Sequence, residues 1–314
     1  MPVSATETGR SDAVEQAVAA LGGLAERDVA IGPMTTYRVG GTADVFVRVR
    51  SVADLHLVAR ARRASGMPVL VVGRGSNLLV ADGGFRGIAV SLLDIATDVV
   101  IDESTSVVEA GSAVLLPVLA RRLATVGLTG FEWAVGVPGS IGGAVRMNAG
   151  GHGSDMSESL LDARIVDLDD GRDTVVASAD LGLRFRGSAL RADQVVVSAR
   201  LQLAPGDPAV AKAALSEIVA WRRAMQPGGQ NAGSVFVNPV PGEVSAGQLV
   251  DEVGLRGFRH GTASVSDKHA NFIQADEGGS ADDVRELMRQ VAARVRAETG
   301  YDLRSEIRLV GFES

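Results

Sequence analysis

The chain has 314 residues, 46% of them hydrophobic, a net charge of −7 and no cysteine. Disulfides, thiolate catalysis and cysteine-bound zinc are excluded, and the acidic balance argues against general nucleic-acid binding. The four histidines, His56, His152, His260 and His269, are too scattered for a metal motif, so no metal site is expected. The opening MPVSATETGRSD lacks the basic start and apolar run of a signal peptide and reads as a flexible tail over residues 1–14. No apolar stretch approaches the roughly 18–20 residues of a membrane-spanning helix, so a cytoplasmic protein without membrane insertion is expected.

From Ala43, ADVFVRVR alternates as a strand does, and SVADLHLVARARRASG offers Ser51 as helix N-cap and Gly66 as stop. MPVLVVG reads as a buried strand. The run from Asp98 to Gly130 predicts two strands and a helix, with Pro117 tolerated in its first turn and Gly127 after its end. LLDARIVDLDDGRDTVVASAD predicts a hairpin turning at Asp170-Gly171, and QVVVSARLQLAP another strand. After APGDP a helix is predicted to about Met225. Ser280 caps a second long helix ended by Gly300, and SEIRLVGF closes the chain as a strand. The composition shift at Pro205–Pro208 predicts a domain boundary, and the fold class expected is α+β.

Two glycine-rich stretches carry chemistry. In VVGRGSNLLV a strand runs into Gly73-Arg74-Gly75-Ser76-Asn77, where glycines admit close backbone approach and N–H groups with the Ser76 and Asn77 side chains could cradle a diphosphate. The stretch lacks the third glycine of a dinucleotide fingerprint and the Gly-Lys-Ser/Thr of a P-loop, and taken alone it reads as a tight turn before it reads as a phosphate cradle. GVPGSIGGAVRMNAGGHGSDM, residues 136–156, reads as a loop too irregular for one regular element, able to lie along a planar cofactor.

Taken in order, GRGSNLLVADGGFRG, GVPGSIGGAVRMNAG, AGSVFVNP, SDKHANFI and SEIRLVG resemble the motifs of the UDP-N-acetylenolpyruvoylglucosamine reductases in their shorter form, from about Thr35 to Phe312. The resemblance implies an FAD-binding region of two α+β subdomains of the vanillyl-alcohol-oxidase-like type, followed by a C-terminal α/β substrate domain. The expected limits are residues 15–93 and 94–205 for the subdomains and 206–314 for the substrate domain, whose last strand could return to the FAD region. Gly73, Arg74, Gly75, Ser76, Asn77 and Leu78 match the family's diphosphate loop. Pro138, Gly139, Ser140, Gly142, Gly143 and Asn148 match its flavin-contacting loop. The implied activity is reduction of UDP-N-acetylglucosamine enolpyruvate to UDP-N-acetylmuramate in peptidoglycan synthesis, with non-covalent FAD and with NADPH as hydride donor. A monomer acting on this small molecule is expected.

Ser234 matches the family's proton donor, Arg186 its enolate-stabilising arginine and Glu306 its catalytic glutamate. A serine hydroxyl is a weak acid in water, yet in a dry site it can protonate a strongly basic carbon. A guanidinium fork matches both oxygens of the substrate carboxylate. Three positions depart from the family. Phe185 replaces a tyrosine before Arg186, and Met225 and Val237 stand where lysines would help hold the UDP diphosphate. Arg222, Arg223, Gln230 and Asn238 could compensate through hydrogen bonds, with His269 at the uridine-diphosphate end or in a structural role. His152, in the glycine-rich loop, reads as a loop residue. The rival readings are another FAD-linked oxidoreductase on this scaffold and a catalytically silent flavin or UDP-sugar binder.

Overall fold

A computed structural model of the protein describes residues 5–312 and divides into two compact units. The first comprises the chain up to Val29, Asp44–Arg74 and Arg86–Trp221; the second comprises Ala30–Ala43, Gly75–Phe85 and the chain from Arg222 on.

In the first unit the expected strand–helix–strand is present as Thr42–Arg48, Val52–Ser65 and Val69–Val72. A capping box starts the helix: Ser51 Oγ accepts from Asp54 N while the Asp54 carboxylate accepts from Ser51 N, and Gly66 at φ 68° ends it. The sheet order is Ala25–Ala30, Thr42–Arg48, Phe85–Ser91, Val69–Val72, the last two strands running parallel. The expected flexible tail is corrected over residues 5–14, because a helix spans Ala5–Leu21. Ala17 and Leu21 bury with Leu55, Val58 and Ala59, and Arg10 pairs with the buried Asp44 carboxylate. Residues 1–4 of the tail lie outside the described residues.

A second hydrophobic cluster of this unit lies on a five-stranded antiparallel sheet ordered Asp173–Ala177, Leu160–Asp167, Gln194–Gln202, Val107–Gly111, Val99–Asp102. The hairpin turns at Asp170-Gly171 as expected, with Gly171 at φ 81°. Leu116–Thr125 is the predicted helix, Pro117 in its first turn. Pro205–Pro208 is not where the compact unit ends. The helix Pro208–Met225 buries Ala211 and Leu215 in this second cluster, which carries the first unit on to Trp221. Residues 136–156 are also more regular than expected. They hold a short helix, Ile141–Met147, and a two-residue hairpin pairing Gly150–Gly151 with Ser154–Asp155, because Gly142 packs its backbone against Ser112.

The second unit packs the helices Ala246–Glu252 and Ala281–Thr299 with a small antiparallel sheet, Arg259–His260, Ala263–Val265 and Ile273–Ala275. Ser280 caps the long helix as predicted, and Gly300 at φ 77° ends it. Asp82 reinforces the cap by accepting from Ser280 Oγ, Ala281 N and Asp282 N. The closing strand is shorter than expected, Arg308–Val310, and pairs in parallel with Leu78–Val80, directly after the first glycine loop. No described helix is long and apolar enough to cross a membrane.

Candidate active site

Within the second unit, the backbone brings Ser234 and Glu306 together. Asn231 Oδ1 accepts from Gly233 N at 3.1 Å and closes a tight turn in which Gly233 has φ 80°. The chain leaving Ser234 is then held from two sides. Val235 N donates to Asn271 O at 2.8 Å, and Phe236 N to Asn271 Oδ1 at 2.9 Å, while Asn271 Nδ2 donates back to Phe236 O at 2.8 Å. On the other side Glu306 N donates to Val235 O at 2.8 Å and Val237 N to Arg304 O at 2.9 Å. Asn271 is 4% exposed, so the segment carrying Ser234 is pinned by a buried amide.

The first glycine loop is tied to the same segment. Asn77 Nδ2 donates to Glu306 O at 3.1 Å, and Arg308 N donates to Asn77 O at 3.0 Å. The Asn77 side chain, expected to face a diphosphate, thus spends one N–H on the Glu306 backbone. Gly75, at φ 61°, approaches Thr35 so closely that a Cβ there would lie 2.7 Å from Thr35 Cα; its carbonyl accepts from Thr36 N. Only glycine suits that position.

Other expected substrate residues also have local work. Asn238 Oδ1 accepts from Ala246 N at 3.0 Å and holds the start of the Ala246–Glu252 helix. His269 Nδ1 accepts from Asn271 N at 3.2 Å, and its ring lies 4.8 Å from Phe272. Burial and the nearby Arg256 charge lower its pKa, so the ring is the neutral Nε2–H tautomer and braces the Asn271 turn. Gln230 contributes its carbonyl to Ala275 N, and Met225 is exposed.

Two guanidiniums of this unit stand out. Arg222 and Arg308 are half-buried, burial lowers the pKa of each, and neither side chain makes a hydrogen bond or ion pair among the described residues. A partly desolvated cation without a counterion is costly unless a ligand supplies the anion. Arg308 was missed in the sequence, where the signal was a lone arginine within the apolar run of SEIRLVG.

In the first unit, Arg186 occupies a tight turn closed by reciprocal hydrogen bonds between Arg184 and Gly187. It has φ 53°, a conformation disfavoured for a residue with a Cβ, and its guanidinium lies 4.9 Å over the exposed Phe185 ring. The second glycine-rich stretch forms one wall of a recess of ≈ 60 Å³ lined by Val71, Gly73, Leu92, Ser112, Ser140, Gly142, Gly143, Arg146, Gln194 and Val196. Gly142 is shaped for close approach, since a Cβ on it would meet Ser112 Cβ at 2.9 Å, whereas a Cβ on Gly73 would only touch Ser140 Oγ at 3.4 Å. Asn148, buried and at φ 40°, uses its amide to donate to Asp155 and accept from Ser157 N, which fixes the hairpin that follows. His152 packs edge-on against Trp221, with ring centroids 4.9 Å apart, as a loop residue. Among the described residues no cluster of His, Asp and Glu could hold a metal.

Comparison with known proteins decides the family. A reductase of Heliobacterium modesticaldum named UDP-N-acetylenolpyruvoylglucosamine reductase is 42% identical over 88% of each chain, and one of Acidiphilium cryptum is 42% identical over 90% of each. The chain belongs to the UDP-N-acetylenolpyruvoylglucosamine reductase family. Residues 225–310 match the C-terminal domain of this reductase, and residues 43–176 match an FAD-binding domain. The crystal structure of the Thermus caldophilus reductase covers 91% of this chain and 98% of its own at 33% identity, with a TM-score of 0.77. A glucose dehydrogenase, Phl p 4.0202, shares the fold over 72% of this chain and 52% of its own, at 16% identity and a TM-score of 0.50. The α+β class with a flavoprotein-type first region is thus the class of this protein. The recess fits a part of FAD: its glycines leave room that side chains would fill, and Ser112 offers a buried hydroxyl without a partner among the described residues.

Proposed function

We propose that this chain reduces UDP-N-acetylglucosamine enolpyruvate to UDP-N-acetylmuramate for peptidoglycan synthesis, and does so in the cytoplasm. The observation that carries the reading is family membership at 42% identity, and the 2.8 Å hydrogen bond from Glu306 N to Val235 O supports it by running the backbone of Glu306 alongside the residue that follows Ser234. Bound FAD, reduced by NADPH, would supply the hydride chemistry at the terminal methylene of the enolpyruvyl group. Ser234 gives its hydroxyl proton to the adjoining carbon, and Glu306 orients that hydroxyl and returns a proton to it. Arg186 pairs with the substrate carboxylate and disperses the charge that forms on it before protonation. Gly73 to Leu78 and Pro138 to Asn148 hold the cofactor, chiefly through backbone close enough to touch it.

Arg222 and Arg308 answer how a diphosphate is held without lysines at Met225 and Val237. Each is a partly buried cation without a hydrogen bond or ion pair among the described residues, and both belong to the second unit. Gln230, Asn238 and His269 shape the surrounding loops and complete the polar surface. Arg222→Met removes an unpaired buried charge, so the ligand-free protein gains about 1 kcal/mol or more in stability while KM for the UDP substrate rises at least roughly tenfold. Urea unfolding and steady-state NADPH oxidation read the two effects. A variant with unchanged KM removes Arg222 from substrate binding. NADPH oxidation that does not depend on the enolpyruvyl substrate contradicts the reductase reading itself.

A further inference from the structure

Ser112 matches none of the motifs that carry the family resemblance, yet its hydroxyl, like Trp133 Nε1 and Ser159 Oγ, is a buried polar group of the first unit without a hydrogen-bond partner among the described residues. The residue follows the Val107–Gly111 strand and is 1% exposed. Its main chain is fully used: Ser112 N donates to Val197 O at 2.8 Å, and Ser112 O accepts from Gly142 N at 3.0 Å. Its hydroxyl has no hydrogen-bond partner among the described residues. Buried hydroxyls are nearly always paired, because leaving one unpaired forfeits the hydrogen bonds it made to water. The residue that carries it lines the recess shared with Gly73, Ser140, Gly142 and Arg146. The volume admits a few water-sized groups and not a whole dinucleotide.

We propose that the Ser112 hydroxyl is a cofactor-binding group that donates a hydrogen bond to an acceptor oxygen of FAD seated in this recess. The inference rests on the FAD-dependent reading above and adds a residue to it. Gly142 is constrained by the same requirement: any side chain on it would strike Ser112 Cβ and shift the hydroxyl. The acceptor is an oxygen of either the diphosphate or the flavin ring, and the two are separable by experiment.

The test is Ser112→Ala, read in apoprotein and in FAD titrations. Loss of the hydrogen bond weakens FAD binding by about five- to tenfold if the acceptor is a ring oxygen, and by about tenfold or more if it is a charged phosphate oxygen, measured by quenching of flavin fluorescence. The same substitution removes an unpaired buried hydroxyl, so the apoprotein melts about 2–4 °C higher than wild type. A purely structural serine would move apoprotein and holoprotein in the same direction, whereas a cofactor ligand moves them oppositely. ADP, which carries the diphosphate without the flavin, loses affinity by the same factor if the acceptor is a phosphate oxygen, and keeps it if the acceptor is on the ring. Wild-type FAD affinity in Ser112→Ala overturns the assignment, while absence of FAD binding by the wild-type chain overturns the FAD-dependent reading instead. If the alanine variant fails to fold, Ser112→Cys, similar in shape and a poor donor, is titrated in its place with the same expected loss and the same overturning result.

Discussion

Ser234→Ala leaves flavin reduction by NADPH at its wild-type rate and slows reoxidation by the enolpyruvyl substrate by roughly 10²- to 10⁴-fold. The two half-reactions separate because the hydroxyl is needed only where carbon is protonated. Hydride arrival at the methylene leaves charge on the neighbouring carbon and carboxylate, and that charge persists until a proton reaches it. The chain leaving Ser234 is fixed by Asn271, Arg304 and Glu306, and the turn before it by Asn231, so the variant loses the hydroxyl and keeps the segment in place. Stopped-flow absorbance of the flavin follows each half-reaction. Equal loss in both would mean damaged cofactor binding, and unchanged reoxidation would remove Ser234 from the chemistry.

Asn271→Ala lowers stability by about 2–5 kcal/mol, the cost of stranding two buried main-chain groups, and reduces turnover of whatever protein remains folded. Phe236 N and Phe236 O, in a residue only 4% exposed, lose their shared partner at once. Asn271→Asp is the sharper variant. It keeps the size of the side chain but turns an oxygen toward Phe236 O, so its folded-state pKa is raised. A raised pKa means the folded form holds a proton that the unfolded form releases. Stability of this variant is therefore greatest below the ordinary aspartate pKa of about 3.9 and falls as pH rises. Urea unfolding at several pH values measures this. A variant as stable at neutral as at acid pH would show that Phe236 O does not face position 271.

Much of this was legible in the sequence because it rests on local rules. Ser51, Gly66, Ser280 and Gly300 declare helix ends by their capping chemistry, and Asp170-Gly171 declares its hairpin. The order of five short motifs, two of them glycine-rich, sufficed for the family. The residues that were missed act across long separations. Asn271 holds a segment 35 residues away and Asp82 caps a helix 198 residues away, and neither has a spacing that a reader of the chain could use. The helix Ala5–Leu21 was hidden by a polar first half whose stabilising partner, Asp44, comes later. The helix inside residues 136–156 was hidden by glycines, which signal loops but here serve close packing against Ser112. Asn77, Asn148 and Asn238 were read as pointing at ligands, and each also holds backbone or side-chain groups of this chain.

The most direct test of the account is an anaerobic titration of the purified protein followed by visible absorbance. The protein carries the yellow absorbance of oxidised FAD, NADPH bleaches it, and stoichiometric UDP-N-acetylglucosamine enolpyruvate restores it with formation of UDP-N-acetylmuramate. Bleaching by NADPH that the enolpyruvyl substrate fails to reverse would contradict it.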